Sequence, residues 1–287
     1  MLTNNTINYS RLKLPVERIG ILYHPLRKKA EDLASQLHKL LSTRGISVWQ
    51  CSTREEEEAR SQCVGSDLIL SIGGDGTLLR VARIAVLSGI PILGIKLGRL
   101  GFSTEIDCDD IVGAIPNILE GKGWIEQRAM LETQLGEQKF PTLNDTVLRG
   151  STPRLININI SINGTLLSTC RADGIILSTS TGSTGYSLAA GGPILDPQSR
   201  EFVLKPICCH LGPNTALVMS PESIVNLKLS SEDRASIILD GQIEISLADE
   251  QQITVRLSSQ ITRFLRFRPK GYFYNLLWHK LQVKGVL

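Results

Sequence analysis

The apolar run Asp67-Leu68-Ile69-Leu70-Ser71-Ile72 empties into Gly73-Gly74-Asp75-Gly76-Thr77-Leu78-Leu79, and this junction restricts the fold more than any other stretch of the chain. The run reads as a buried strand. Gly73, Gly74 and Gly76 have no Cβ and can take positive φ, so backbone N–H groups can close on phosphate oxygens. The loop continues into Leu78 to Val86, apolar at helical spacing, and the N-terminal dipole of that helix favours an anion. Asp75 is the unexpected member. A carboxylate beside a polyphosphate is repelled unless a divalent cation intervenes or the carboxylate accepts the proton of an attacking hydroxyl. A tight strand-to-helix turn with Asp75 as N-cap is the plainer alternative. The segment lacks the Lys-Ser/Thr pair of a P-loop, and Leu79 stands where a dinucleotide fingerprint needs its third glycine.

Around this junction the chain alternates. Ile19 to Tyr23, Ile46 to Trp49, Leu68 to Ile72 and Ile90 to Ile95 read as strands, with an amphipathic helix over Lys28 to Leu41 between the first two. That is the βαβ pattern of a parallel sheet, whose ligands bind beyond the carboxyl ends of its strands. Glu55 to Glu58 read as an exposed helix face, and Asp107, Asp109 and Asp110 as caps of a helix over Ile111 to Leu119.

After Gly121 the rhythm becomes period two. Ile156, Ile158, Ile160 and Ile162 alternate with Asn157, Asn159 and Ser161, and Asn163-Gly164 supplies a two-residue hairpin turn. Short runs follow at Gly174 to Leu177, Ala216 to Met219, Ile224 to Leu229, Ile237 to Leu239, Ile243 to Leu247 and Ile253 to Leu257, the spacing of an all-β sandwich or barrel. Tyr272 to Leu281 reads as a helix. The expected fold is therefore α/β plus all-β: a Rossmann-like α/β domain over 1–122, a β-sandwich over 123–264, and a C-terminal segment over 265–287 packing back on the first domain.

A length of 287 residues suits two domains, and 42% hydrophobic with 21% charged residues is ordinary for a globular chain. The net charge of +3 gives no sign of a nucleic-acid binder, and Arg263, Arg266, Arg268 and Lys270 read first as the solvated side of a strand. No apolar run is long enough to span a membrane and the first twenty residues do not resemble a signal peptide, so a cytoplasmic address is expected. The six cysteines have no C-x-x-C spacing and the four histidines no H-x-x-x-H, which fits reduced thiols and no histidine metal site.

Two polar clusters interrupt the β pattern. Leu143-Asn144-Asp145 is on its own an ordinary turn. Arg171-Ala172-Asp173-Gly174 leads to Ser178-Thr179-Ser180-Thr181-Gly182-Ser183-Thr184-Gly185-Tyr186-Ser187-Leu188, whose hydroxyls, backbone N–H groups and one aromatic suit a base and a ribose.

Taken together, the glycine box, the Asn-acid pair, the later Asp-Gly, the T-G-S-T-x-Y run and the stretch Gly94 to Phe102, with its ending Leu97-Gly98-Arg99-Leu100-Gly101-Phe102, resemble the NAD kinase family. The order matches through Asp240-Gly241-Gln242. The glycine box alone is similar to that of diacylglycerol and sphingosine kinases too, so a lipid kinase, or a non-catalytic NADP sensor, is the alternative. The resemblance implies an enzyme that moves the terminal phosphate of ATP to the 2′-hydroxyl of the adenosine ribose of NAD, using a divalent cation such as Mg²⁺, and working as a homo-oligomer, a dimer or tetramer. The resemblance makes Asp75 the proton acceptor and places Gly73, Gly74, Gly76, Thr77 and Arg80 along the phosphates. Asn144, Asp145, Arg154, Arg171, Asp173, Thr184, Gly185, Tyr186, Ser187, Leu188, Ala189 and Gln242 fall on nucleotide contacts; no residue is assigned to metal. The chain departs from the family at Asp145, where Glu is commoner, at Gly185 for Ala, at Ser180 for Pro, which predicts a looser loop, and at Lys96 for Asn. His210 lacks the usual downstream Arg-Pro and is left out of the site.

Overall fold

A computed structural model of the chain describes residues 11–98, 101–212, 214–229, 234–247 and 251–283. Arg99 and Leu100 of the Gly94–Phe102 match lie outside the described residues, as does Pro213. The chain divides into two compact units, Met1–Gln127 with Thr262–Leu287, and Arg128–Ile261.

The first unit is α/β. Strands β1 (Arg18–Tyr23), β2 (Ser47–Ser52), β3 (Leu68–Gly73) and β4 (Ile92–Lys96) are parallel in the order β2-β1-β3-β4, with the short β5 (Ile106–Asp107) beside β4. Helices α1 (Lys28–Ser42), α2 (Glu56–Cys63), α3 (Asp75–Ala85) and α4 (Ile111–Leu119) connect them. All six residues of β3 are buried, so its apolar run needs no alternation, as is usual for a central strand covered on both faces. Ile19, Ile21, Leu68, Leu70, Ile72, Leu93 and Ile95 pack against Leu33, Leu37 and Leu41 of α1 in one core. The acidic end of α2 is less exposed in role than expected, because Glu56 accepts from the buried Arg83 at 2.8 Å. Asp110 precedes α4 without a side-chain capping bond, so the expected cap is absent there.

The second unit is a β-sandwich. One layer runs β10-β9-β14 and then the start of β17, all antiparallel, where β9 is Ile156–Ile162, β10 Thr165–Ala172, β14 Ile224–Leu229 and β17 Gln252–Arg266. The other runs β13-β12-β11-β8-β15-β16, with β8 Asp145–Gly150, β11 Gly174–Thr179, β12 Phe202–Ile207, β13 Leu217–Met219, β15 Ala235–Leu239 and β16 Ile243–Ser246. A hairpin of β6 (Trp124–Leu135) and β7 (Gln138–Thr142) adds to this unit. Ile158, Ile160, Leu227 and Val255 from the first layer meet Leu148, Ile175, Leu177, Phe202 and Ile237 from the second in a continuous core. The β9–β10 hairpin turns on Asn163 and Gly164 with φ of 51° and 81°, the conformation that dipeptide favours. A short helix, α5 (Tyr186–Ala189), lies between β11 and β12.

The last strand is longer than its sequence suggests. Polar Ser258, Ser259 and Gln260 interrupt the apolar pattern after Leu257, yet β17 continues to Arg266, and Phe264 pairs with Ile92 of β4 in the first unit's sheet. Helix α6 (Tyr272–Val283) follows and belongs to the first unit.

Candidate active site: the glycine turn and the Asn144 turn

Strand β3 ends at Gly73, and helix α3 begins two residues later at Asp75. None of Gly73, Gly74 or Gly76 takes the left-handed φ anticipated from sequence: Gly74 is extended at φ −107°, and Gly76 lies in the first turn of α3. The requirement at Gly73 is closeness, since a Cβ there would collide with the buried side chain of Thr77. Thr77 and Leu78 donate their N–H groups to the Gly74 carbonyl, which closes the turn. Arg80, one turn on, lies 3.8 Å from Glu56.

Asp75 is not an N-cap. Its Oδ2 accepts the Phe102 N–H at 3.0 Å and its Oδ1 the Ser103 N–H at 3.2 Å. The 101–103 segment reaches the carboxylate so closely that a Cβ on Gly101 would overlap it. Behind this contact stands Arg266, buried, donating at 2.7 Å to the Ser103 carbonyl, at 3.3 Å to Glu105 and at 2.8 Å to Glu126. Glu105 also accepts the N–H groups of Phe267 and Arg268 at 2.9 and 2.7 Å. Arg266 was expected on a solvated strand face; its two carboxylate partners draw it inside, where a guanidinium needs such pairing. Lys96 forms a 2.5 Å ion pair with Asp107, so the lysine that departs from the family pattern is held by a neighbouring strand.

In the second unit the Asn144 turn is built by a residue far along the chain. One Asp240 carboxylate accepts the N–H groups of Leu143, Asn144 and Asp145 at 3.1, 2.7 and 3.2 Å, and Asp240 N–H returns a bond to the Asp145 carbonyl at 3.0 Å. Asp240 and Gly241 take φ of 51° and 64° between β15 and β16, which turns the carboxylate toward Asn144. Asp145 is buried beside it; desolvation first, and the Asp240 charge second, push its carboxyl up to about 7.

The hydroxyl-rich run meets the same turn. Thr179 N–H donates to the Asn144 carbonyl at 2.9 Å, its hydroxyl donates to the Leu143 carbonyl at 2.5 Å, and Gly182 N–H donates to that hydroxyl at 3.1 Å. Buried Arg128 donates to Thr181 at 3.1 Å. Ser180 hydroxyl bonds the Ser199 carbonyl at 2.9 Å, so the serine at a usual proline position ties the loop down instead of loosening it. Gly185, Tyr186 and Ala189 are exposed, Thr184 and Leu188 half-buried, and Ser187 is buried with its hydroxyl unpartnered. Gln242 follows Asp240-Gly241, half-buried.

Arg154, Arg171 and Asp173 stand elsewhere. In the β8–β11 register Ser178 faces Asp145 while Gly174 faces Arg149, so Asp173 lies at the far end of both strands, where its carbonyl accepts the Gly150 N–H at 3.0 Å. Four residues of strand separate the ends, about 13 Å at 3.3 Å per residue. The structure thus joins Asn144, Asp145, Asp240 and the 178–182 loop, and leaves the three others apart. Sequence reading missed Gly101, Ser103 and Arg266 as builders of the Asp75 contact and Asp240 as builder of the Asn144 turn. The run from Leu97 to Phe102 and the Asp240-Gly241 dipeptide were the visible signals. A separate cavity of about 710 Å³, lined by Arg11, Lys13, Asp67, Gly89, Pro91 and Arg263, lies at the amino ends of β3 and β4, away from the glycine turn.

Residues 19–123 match the family of the ATP-NAD kinase N-terminal domain, and residues 143–267 that of the ATP-NAD kinase C-terminal domain. An NAD kinase of Dehalococcoides mccartyi is 40% identical over 273 residues, covering 93% of this chain and 96% of that one. The chain belongs to the NAD kinase family. An NAD kinase of Chloroflexus aurantiacus, 36% identical, covers 93% of this chain and 99% of its own. Among solved structures, an NAD kinase from Archaeoglobus fulgidus in complex with ATP superposes with a TM-score of 0.73 at 25% identity, covering 91% of this chain and 97% of that one. Yeast NADH kinase complexed with NADH gives a TM-score of 0.75 at 21% identity over 89% of this chain and 84% of that one, a likeness of fold. In this NAD kinase family member both the α/β glycine turn and the Asn144 turn fall inside the matched residues.

Proposed function

We infer that this chain is an NAD kinase, transferring the terminal phosphate of ATP to the 2′-hydroxyl of the adenosine ribose of NAD to give NADP. The observation that carries the chemistry is the Asp75 carboxylate, fixed at the mouth of the glycine turn by the Phe102 and Ser103 N–H groups. A carboxylate has about four lone-pair sites. Two are taken, and the remainder can accept the proton of the attacking hydroxyl while the amides keep the group aimed. Gly73, Gly74, Gly76, Thr77 and Arg80 line the phosphate path in this reading. Asn144, Asp145, Thr184 to Ala189 and Gln242 hold the acceptor nucleotide, in which the Asp240 turn fixes the first two.

A divalent cation belongs to this reading. Among the described residues the group of close metal-ligating side chains is Asp107, Cys108 and Asp109, and its carboxylates are paired with Lys96 and Lys29. The glycine turn offers one carboxylate, Asp75, which fits Mg²⁺, an ion that keeps much of its shell from substrate phosphates and water. When bound, the cation neutralises charge on the donor phosphates. The enzyme is read as a cytoplasmic homo-oligomer, dimer or tetramer; Asp173, some 13 Å along β8 and β11 from Asn144, is then, with Arg154 and Arg171, available to a neighbouring copy's nucleotide. No helix among the described residues is long and apolar enough to cross a membrane.

The test is production of NADP from NAD, ATP and Mg²⁺, followed with an NADP-specific dehydrogenase. Absence of NADP, with phosphorylation of a lipid alcohol instead, overturns the assignment.

A further inference from the structure

Six free thiols are present, and two of them nearly touch: Cys170 Sγ and Cys209 Sγ are 3.0 Å apart. A disulfide spans 2.03–2.05 Å, so closing the pair needs a movement of about 1 Å. The backbone holds the thiols in place from both sides. Cys170 lies on β10, and the next residue, Arg171, exchanges bonds with the loop that carries Cys209: Arg171 N–H donates to the Leu211 carbonyl at 2.9 Å, and His210 N–H to the Arg171 carbonyl at 2.8 Å. Cys208, at φ 47°, takes a left-handed conformation rarely adopted by residues with a Cβ, and this turn leaves Cys208 exposed while Cys209 faces Cys170.

We propose that Cys170 and Cys209 form a reversible redox modification site that closes into a disulfide when a low-molecular-weight disulfide is the oxidant. Cys209, the partly exposed member, attacks one sulfur of the small disulfide, forming a mixed disulfide and expelling one thiol. Cys170 then attacks the Cys209 sulfur and expels the second. Two protein thiols lose two electrons, the small disulfide gains them, and the two protein protons leave on the two released thiols. Burial first, and the neighbouring Cys209 second, push the Cys170 thiol up to about 12, so Cys170 is not the first attacker; its closeness to the Cys209 sulfur, 3.0 Å, is what carries the second step. Among the described residues no third metal ligand closes on this pair, which sets zinc binding aside.

The consequence is local. The crosslink would staple the 208–212 loop to β10 one residue before Arg171 and three before Asp173. Its effect on catalysis rests on the reading of those two residues as nucleotide contacts.

The experiment treats the whole protein with oxidised glutathione and maps its peptides without reduction. A 170–209 crosslink is expected, with loss of two of the six titratable thiols and recovery on adding dithiothreitol. It should persist in Cys208→Ser and vanish in Cys209→Ser. Adducts on Cys208 or Cys209 that never resolve to a crosslink, or a crosslink from Cys170 to Cys208 in place of Cys209, would overturn the proposal. The KM for NAD, measured before and after oxidation, separates the two claims. A several-fold, dithiothreitol-reversible change absent from Cys209→Ser supports both. A clean crosslink with unchanged KM supports the thiol pair and counts against Arg171 and Asp173 as contacts.

Discussion

Asp75 and Asp145 each stand at a turn beside a strand end, and each has been assigned to the acceptor nucleotide, yet the fold surrounds them differently. Asp75 is half-buried and its two oxygens take N–H groups from Phe102 and Ser103, residues of another segment. Asp145 is buried, and its neighbour is a second carboxylate, Asp240, whose own oxygens are spent on three backbone N–H groups of the 143–145 turn. Donors converge on the first acid; around the second they converge on its neighbour. Identical side chains therefore suit different tasks: in the proposed reaction Asp75 accepts a proton, whereas Asp145 holds its own close to neutral pH.

The largest effect that could break this contrast is at Asp75. Asp75→Asn should lower turnover by about 10² to 10⁴, the usual worth of a positioned general base, with melting temperature and circular dichroism little changed. A near-normal kcat would remove Asp75 from the chemistry and leave it a structural acceptor.

Asp145 comes next, and its signature is pH. Its folded carboxyl sits at about 7 against the usual 3.8. Below about pH 4 both folded and unfolded chains carry the proton; between about 4 and 7 the folded chain alone does, so stability falls as pH rises through that window and levels above it. The difference of about three units corresponds to roughly 4 kcal/mol. Urea unfolding at about pH 5 and about pH 8 crosses about two of these units and should show about 3 kcal/mol in the native protein. Asp145→Asn should flatten the slope and be the more stable protein at the higher pH; parallel profiles would refute the burial argument.

How much of this could be read beforehand follows the range of the interactions. The glycine turn, β3 and the alternating strand β9 are local patterns, and each was legible from a dozen residues. Asp75 was legible as an oddity because its immediate neighbours are glycines. Its donors were not: Phe102 closes a run that resembles the family, but Phe102 and Ser103 lie 27 and 28 residues on and bond through backbone N–H groups, whose partner no sequence pattern marks. Arg266 was misread for a related reason. Arg263, Arg266 and Arg268 look like a solvated face until Glu105 and Glu126, separated from Arg266 by 161 and 140 residues, are brought to it. The second half of β17 was hidden by Ser258 to Gln260, a polar interruption that the pairing of Phe264 with Ile92 outweighs. Likewise Arg171 and Asp173 read as one cluster with Ser178 because they are close in sequence, and the extended conformation of β11 takes them apart.

Asp240 gives a smaller effect that sharpens the contrast from the other side. Asp240→Ala removes the acceptor of three N–H groups, and buried donors left without partners cost about 1–3 kcal/mol each; with water replacing part of the loss, a total near 3 kcal/mol is expected by urea unfolding. The KM for NAD should rise roughly tenfold, equivalent to about 1.4 kcal/mol, with the KM for ATP hardly moved. A uniform fall in kcat with both KM values intact would mean that the turn does not hold the acceptor. The same variant deletes the charge that helps raise Asp145, so its pH slope should shrink as well.

The smallest expected effect is at Gly101, and it asks whether the donors of Asp75 matter for the reaction or only for the fold. A Cβ at this position would overlap the Asp75 carboxylate. Gly101→Ala must therefore rotate Asp75 away or push the 101–103 segment back, and either movement lengthens the bonds from Phe102 and Ser103. The half-buried carboxylate can recover those bonds from water, so stability should change little. Turnover should fall about tenfold, near 1.4 kcal/mol, because a base that is solvated and free to rotate is no longer held toward the hydroxyl. If kcat stays at the native value while Asp75→Asn abolishes activity, the base works without its amide pair, and the contrast between the two carboxylates reduces to burial alone.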